Sequence, residues 1–191
     1  MSALAPADAA RLLEIARLSL EHAVSFGCAA LPDPAEEPPR LRASGASFVT
    51  LRGPDASLRG CVGTLEPLRA LAVDVAENAF RAGFCDPRFA PLCADETRAL
   101  RLHISVLGPL ERLDVRCEEE LVAALRPGAD GLVLRLGELR GTFLPDVWES
   151  LAEPRAWLRA LKRKTGLPAD FWSEAVEVQR YGTTSIEDGP G

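Results

Sequence analysis

The sequence contains few of the residues on which metal sites, disulfide frameworks and membrane spans depend. Its only histidines are His22 and His103, and its five cysteines include no Cys-x-x-Cys pair. Cysteines that are odd in number and widely spaced are typical of reduced thiols. No apolar run approaches the roughly 18 residues of a membrane-spanning helix, and the N-terminus lacks a basic start followed by an apolar core. We therefore expect a cytoplasmic protein without a membrane segment.

Basic residues are also too few for a typical nucleic-acid-binding protein. The chain has 22 lysines and arginines against 28 acidic residues, a net charge of −6. Because phosphate neutralisation supplies much of the affinity for DNA and RNA, nucleic acid is not an expected partner. One basic run, comprising Arg159, Lys162, Arg163 and Lys164, lies at the end of a predicted helix. Cations at that end complement the helix dipole, and contact with nucleic acid is the alternative interpretation.

The composition is otherwise that of a globular domain. The 191 residues are 47% hydrophobic and 26% charged, and a chain of this length buries enough surface for a core without disulfides or a structural metal. We expect one domain over residues 1–186 and a flexible tail over 187–191. The phosphate-cradling spacings Gly-x-x-x-x-Gly-Lys-Ser/Thr and Gly-x-Gly-x-x-Gly are both missing. Any cofactor is therefore unknown.

Hydrophobic periodicity predicts a mixture of helices and antiparallel strands, the α+β class. The predicted elements, in order, are a helix from Pro6 to Gly27, a hairpin of strands 48–51 and 58–62, a helix from Pro67 to Gly83, a strand over 100–106, a short helix over 118–125, a hairpin of strands 132–136 and 139–144, a helix from Pro154 to Gly166, and a last strand at 176–178.

The two predicted hairpins resemble each other. Leu-Arg-Gly begins the returning strand in both, at positions 58 and 139, an offset of 81 residues, and a proline and a helical segment follow each return. This order predicts a duplicated strand-strand-helix unit, over roughly 45–100 and 128–181.

The segment 58–67 is the best candidate for chemistry. Arg59 and Cys61 share a face because strand side chains alternate, and a cation beside a thiol favours the nucleophilic thiolate. Cys61 is therefore the candidate nucleophile, with inert buried packing as the alternative. Gly60 and Gly63 allow a ligand or another backbone to approach closely, or serve a bulge.

The loop 85–92 is a second candidate, because prolines fix the backbone on both sides of Arg88. If this loop faces the first hairpin, Asp86 and Arg88 form, with Arg59, a charged cleft suited to an anionic ligand.

Two further arrangements of Cys61 remain open. A nucleophile pair with His103 requires that their strands be neighbours. A zinc site built from Cys61, Cys85, Cys93 and His103 lacks a closely spaced ligand pair, so no metal is predicted.

Together these segments resemble the AMMECR domain family, whose prokaryotic members are called AmmeMemoRadiSam system protein A. The resemblance covers roughly residues 12–181 and rests on segments 47–51, 58–67, 86–89, 104–107, 131–133, 141–147 and 158–172. The chain departs at Val62, where the family usually has isoleucine, and at Asp146, where glutamine is common. The resemblance implies an α+β fold in which the two repeated units share a barrel-like, mainly antiparallel sheet with helices packed outside.

The resemblance implies, as partners, a Memo-like protein and a radical S-adenosylmethionine enzyme, but no established reaction. The first hypothesis is an enzyme acting on a small anionic substrate, with Cys61 as nucleophile. Its substrate-binding residues are Arg59, Gly60, Gly63, Thr64, Asp86 and Arg88. The second hypothesis is a non-catalytic binding or adaptor module that works with the two partner proteins.

Overall fold

The computed structural model describes residues 4–188, which divide into two compact units. Of the described residues, the first unit comprises 4–107 and 184–188, and the second comprises 108–183. The helices are α1 (Pro6–Phe26), α2 (Pro39–Arg42), α3 (Leu71–Phe84), α4 (Ala94–Ala99), α5 (Glu118–Ala124) and α6 (Pro154–Thr165). Two short 3-10 helices lie at Pro34–Glu36 and Pro145–Glu149.

The strands are β1 (Ser44–Gly45), β2 (Ser47–Arg52), β3 (Leu58–Gly63), β4 (Arg69–Ala70), β5 (Arg101–Leu107), β6 (Glu111–Arg112), β7 (Gly131–Leu136), β8 (Leu139–Phe143), β9 (Glu177–Tyr181) and β10 (Thr183–Glu187). They confirm the predicted α+β class and both hairpins. The described strands do not close into a barrel, because they form two four-stranded sheets and the separate pair β1-β4.

The first unit is built on the sheet β10-β5-β2-β3, in which β2 pairs antiparallel with β3 and β5. Alternate residues of β2 and β5, such as Val49 and Ile104, are fully buried with α1 and α3 in one core. The other face carries the polar residues between them, including Thr50 and His103, because strand side chains alternate. That second face holds most of the candidate site.

The second unit is built on the antiparallel sheet β6-β9-β7-β8. Leu132 and Leu134 of β7 are buried with α6 and two tryptophans. The rings of Trp148 and Trp157 stack with centroids 4.4 Å apart. A second core of this size gives the unit its own packing, since aromatic side chains bury the most apolar surface.

The glycine of each Leu-Arg-Gly segment lies against the long helix that follows its hairpin. A Cβ at Gly60 would overlap the carbonyl oxygen of Ala82 in α3, and a Cβ at Gly141 would overlap the side chain of Thr165 in α6. The same sequence signal therefore meets the same packing requirement in both units. We propose on this basis that the units arose by duplication.

The helix predicted to open at Pro67 begins later, at Leu71. Arg69 and Ala70 form β4 instead and pair with β1, and the Leu71 N–H donates to the carbonyl of Ala43. Backbone groups committed to β1 cannot join the first helical turn. Leu68, placed on the buried helix face by its spacing, is consequently exposed.

The C-terminal segment is also more ordered than its composition predicts. Glu187 ends β10, which the sequence analysis missed. The carboxylate of Asp188 accepts from the Leu102 N–H at 2.9 Å and from Arg17 at 2.6 Å. The remainder of the predicted tail, residues 189–191, lies outside the described residues.

Lys162 was expected to complement the dipole of α6 and instead lies inside the second unit. Its side chain is 2% exposed, and Nζ lies 2.5 Å from a carboxylate oxygen of Glu118. The ammonium is also 5.7 Å from the centroid of the Trp172 ring.

Among the helices of residues 4–188, none is both long and apolar enough to cross a bilayer.

Candidate functional site

Cys61 lies in β3, the edge strand of the first unit's sheet, and is half-buried. Its partner across the ladder is Thr50 of β2, whose hydroxyl donates to the Cys61 sulfur at 3.3 Å. Thr50 is itself buried, so this donor is shielded from competing water. The hydrogen bond fixes the orientation of the Cys61 side chain against β2.

The backbone of Cys61 is held by an ion pair from the loop after α3. Asp86 accepts the Cys61 N–H at 2.9 Å, and Arg88 Nη2 lies 3.4 Å from the Cys61 carbonyl oxygen. An edge strand normally leaves such groups to water or to another strand. Here the Asp86 and Arg88 side chains occupy that position.

The ion pair that holds Cys61 is itself tightly bonded. Arg88 donates to Asp86 from Nε at 2.9 Å, from Nη2 at 2.6 Å and from its backbone N–H at 3.1 Å. The guanidinium of Arg88, with the N–H of Cys61, holds the pKa of the Asp86 carboxyl far below its usual range. The Asp86 carboxylate, in turn, raises the pKa of Arg88. Asp86 is therefore an anion at neutral pH.

Arg59 forms a second charge pair on the same strand. Its Nε and Nη2 donate to the two oxygens of Glu96 in α4, at 3.0 and 3.2 Å. Arg59, with the N–H of Cys93, lowers the pKa of Glu96 from 4.5 to about 2. The ring of Phe89 lies between the two arginines, 5.9 Å from the Arg59 guanidinium carbon and 5.4 Å from that of Arg88.

Arg59, Asp86 and Arg88 are thus brought together around Cys61, with one difference from the expected charged cluster. Each arginine already has a carboxylate partner, Glu96 or Asp86, so the cluster is close to neutral. The sequence analysis missed Glu96 and Thr50. Glu96 was detectable as the third residue after Cys93 at a helix start, where a capping glutamate often lies.

The glycines of the motif are placed by packing rather than at an open surface. Gly60 lies against Ala82, and a Cβ at Gly63 would overlap the ring of Phe48. Gly60 fits the interpretation in which another backbone approaches closely, whereas the neighbour that approaches Gly63 is a side chain.

Comparison with known proteins shows which family this chain belongs to. A family model described as AMMECR1 matches residues 13–186. The chain belongs to the AMMECR1 family. It is similar to a protein of Thermotoga maritima, with 33% identity over 163 residues that cover 85% of this chain and 88% of the relative. A protein of Methanothermobacter thermautotrophicus is 35% identical over 183 residues, 93% of each chain.

A solved structure shares the fold of this AMMECR1 protein. The crystal structure of the uncharacterized protein PH0010 from Pyrococcus horikoshii superposes with a TM-score of 0.85 at 30% identity, covering 94% of this chain and 92% of that one. The match confirms the fold class and the resemblance found in the sequence.

Thr64 of the AMMECR1 motif faces a buried polar cluster rather than Cys61. Its hydroxyl donates to the carboxylate of Asp74, at 2.7 and 2.8 Å to the two oxygens. Asp74 also accepts from Ser47, Arg69 and Asn78 and is 1% exposed. A buried carboxylate with this many donors is a structural anchor, here between α3 and β2.

His103 and Cys61 are not on neighbouring strands, so they do not form a direct pair. β2 lies between β3 and β5, and Thr50 is the cross-strand partner of both residues. Two strand spacings, roughly 9 to 10 Å, therefore separate their backbones.

Among the described residues, no group of three or more His, Cys, Asp and Glu side chains is placed to hold a metal ion.

Proposed function

We propose that this AMMECR1 protein is an enzyme that acts on a small anionic substrate and that Cys61 is the group that reacts. The observation that carries the proposal is that three side chains fix one cysteine. Thr50 donates to its sulfur, Asp86 accepts from its N–H, and Arg88 approaches its carbonyl. A thiol held in one orientation is what nucleophilic attack requires, because the reacting atoms must be aligned.

The second hairpin supports this assignment by contrast. Thr142 stands 81 residues after Cys61, opposite Val133 in β7. Its hydroxyl is used within the fold, where it lies 2.7 Å from the Leu132 carbonyl and 2.7 Å from the Tyr181 hydroxyl. The proposed duplication thus has a structural hydroxyl in one unit and, in the other, a thiol that accepts a hydrogen bond from Thr50.

Arg88 is the residue best suited to bind the substrate's negative charge. Its side chain is 54% exposed, and its bonds to Asp86 and Cys61 use Nε, Nη2 and the backbone N–H. Nη1 has no partner among residues 4–188 and stays available for an oxyanion. In the proposed step, Cys61 Sγ adds to an electrophilic carbonyl carbon of the substrate, the C=O π bond breaks with its electron pair moving to oxygen, and the thiol proton passes through solvent to that oxygen.

The test compares the wild-type protein with Cys61→Ser in a mixture of small anionic metabolites followed by mass spectrometry. We expect the wild type to deplete at least one compound and Cys61→Ser to deplete none while keeping the wild-type unfolding midpoint. Cys85→Ser, which replaces an exposed cysteine, is the matched control and should behave like the wild type. Equal depletion by Cys61→Ser would contradict the proposal.

Two observations favour the adaptor as a second candidate. Arg59 and Arg88 are both paired with carboxylates, and His103 is separated from Cys61 by β2, so no histidine base adjoins the thiol. A binding module needs only the rigid surface that these pairs create. It predicts that the purified protein associates with the Memo-like protein or radical S-adenosylmethionine enzyme of the same genome, with no turnover of its own.

A further inference from the structure

A cavity of about 270 Å³ opens on the first unit at the hairpin end of the sheet, on the β5 side of β2, whereas Arg59 lies in β3 on the other side of β2. It is lined by Arg52, Ala56, Arg101, Leu102, His103, Glu187 and Asp188. None of these residues belongs to the Cys61 cluster. Its polar groups come from β2, β5 and the end of β10, so regular strands rather than a loop position most of them.

Two arginines from neighbouring strands line this cavity side by side. Arg52 and Arg101 are direct cross-strand partners in the β2-β5 ladder. Like charges placed opposite each other in a sheet repel. Arg52 is turned towards the hairpin loop, where its Nη1 donates to the Ala56 carbonyl at 3.1 Å. Arg101 is exposed and makes no side-chain hydrogen bond or ion pair within residues 4–188.

His103 adds a third nitrogen group beside the arginines. Its Nε2 is buried and has no hydrogen-bond partner in the described part of the chain. A buried polar atom without a partner carries a free-energy cost, which a bound acceptor would remove. His103 lies two residues along β5 from Arg101, so both side chains are on the same face of the sheet.

The backbone of the cavity rim is strained at one residue. Ala56 has a φ of 64°, and it is the only residue other than glycine with positive φ in residues 4–188. This conformation is costly for alanine. In this conformation the Ala56 carbonyl accepts the hydrogen bond from Arg52.

Two carboxylates also line the cavity, and neither prevents an anion from binding. Asp188 is already neutralised by Arg17 at 2.6 Å and accepts the Leu102 N–H. Glu187 is 74% exposed, with its carboxylate 3.9 Å from His103 Nε2. A long exposed side chain held only by this contact moves aside at little cost.

We propose that this cavity is a binding site for a small molecule carrying a phosphate or carboxylate group, held by Arg52, Arg101 and His103. The planar guanidinium groups match the geometry of an oxyanion, and His103 Nε2 supplies a further contact. The site does not depend on Cys61 or on the reaction proposed for it. In contrast to Arg59 and Arg88, which each bind a carboxylate, Arg52 and Arg101 have no carboxylate partner within residues 4–188.

The test titrates the isotope-labelled protein with inorganic phosphate and, separately, with succinate, at constant ionic strength maintained with chloride. Backbone amide signals report both affinity and location. We expect saturable shifts at Arg52, Arg101 and His103 with at least one of the two anions. Phosphate alone would identify a phosphorylated ligand, and succinate alone would identify a carboxylate. Both identifications support the site.

Three variants make the test specific. Arg101→Gln should weaken binding about tenfold, because it removes a hydrogen bond to a charged group. Arg98→Gln, which removes an exposed arginine of α4 that does not line the cavity, should bind like the wild type. Glu187→Gln should bind about threefold more tightly, since a nearby repulsive charge is lost.

The proposal is overturned if neither anion gives saturable shifts up to about 10 mM, a range that would reveal even a millimolar site. It is equally overturned if Arg98→Gln weakens binding as much as Arg101→Gln does, because the anions would then be responding to net charge alone. All these substitutions are at exposed side chains, so folding is retained.

Discussion

Asp86 and Cys61 are 25 residues apart in sequence, yet the carboxylate of Asp86 accepts the backbone N–H of Cys61 at 2.9 Å. This bond fastens the loop after α3 to the edge strand β3. Asp86 is 5% exposed, so its charge is accommodated only because Arg88 and the N–H of Cys61 both bind it. Whether Cys61 serves chemistry or binding, its position depends on this carboxylate.

We predict that Asp86→Asn lowers the free energy of unfolding by about 1 to 3 kcal/mol, the usual effect of breaking a buried hydrogen bond to a charged group. The amide has one acceptor oxygen, and its NH₂ group confronts the Arg88 guanidinium. Urea unfolding measures the change. Asp114→Asn is the matched control, since Asp114 is 89% exposed beside Arg112, and it should leave stability almost unchanged. Equal effects of the two substitutions would contradict the role given to Asp86.

The lowered pKa of Glu96 predicts how stability depends on pH. Its folded pKa is about 2 against an ordinary value of 4.5, so the unfolded chain binds the proton more readily. The stabilisation is complete above pH 4.5 and is lost as the pH falls towards 2. We expect the urea midpoint of Glu96→Gln to be lower than that of the wild type at pH 7. At pH 2.5 the gap between the two midpoints should be smaller. A difference that stays constant across this range would show that the Arg59 pair does not stabilise the fold.

The packing of the two hairpin glycines gives a stability prediction for each unit. Gly60→Ala should destabilise the protein by about 3 kcal/mol or more, because the new methyl group meets backbone at Ala82. Gly141→Ala should cost less, since the Thr165 hydroxyl it meets is on a side chain. Gly182→Ala has no heavy atom within 4 Å of the added Cβ and is the neutral control. Thermal unfolding of the three variants tests this order.

Thr64 separates structural from functional roles within the motif. Thr64→Val removes the donor to Asp74 and should lower the free energy of unfolding by about 1 to 3 kcal/mol, because a buried carboxylate loses a hydrogen bond. Under native conditions, Cys61 should be alkylated at the same rate in Thr64→Val as in the wild type. Thr184→Val, at a half-buried position of β10, controls for the threonine-to-valine change. If Thr64→Val instead lost Cys61 reactivity without losing stability, Thr64 would have a role in the Cys61 site.

Much of the fold was readable because the apolar residues repeat with helical or strand spacing. The alternation in β5 and β7, and the glycines that end α1 and α6 in left-handed conformations, predicted those elements closely. β10 was missed because its five residues include one buried side chain, Ile186. A strand with so little alternation becomes visible only through its neighbour β5.

The site was predictable in composition but not in its pairings. The sequence placed Arg59 and Cys61 on one face and made the role of Asp86 and Arg88 conditional on the loop facing the hairpin, which the Asp86 contact satisfies. The sequence could not show that Arg59 forms an ion pair with Glu96, which is 37 residues away. Partners so distant in sequence are set by the packing of α3 and α4 around the sheet.

The central claim is that Cys61 is a reactive thiol in a site that prefers anions. The most direct measurement compares the alkylation rates of each cysteine with iodoacetate and with iodoacetamide, reagents that differ in charge, using mass spectrometry of the native protein. Cys28 and Cys85, both exposed, serve as internal references. We predict a higher iodoacetate-to-iodoacetamide rate ratio at Cys61 than at either reference, and a reduced ratio in Arg88→Gln. Cys61 that stays unlabelled while Cys28 and Cys85 react fully would contradict the account and identify the thiol as structural packing.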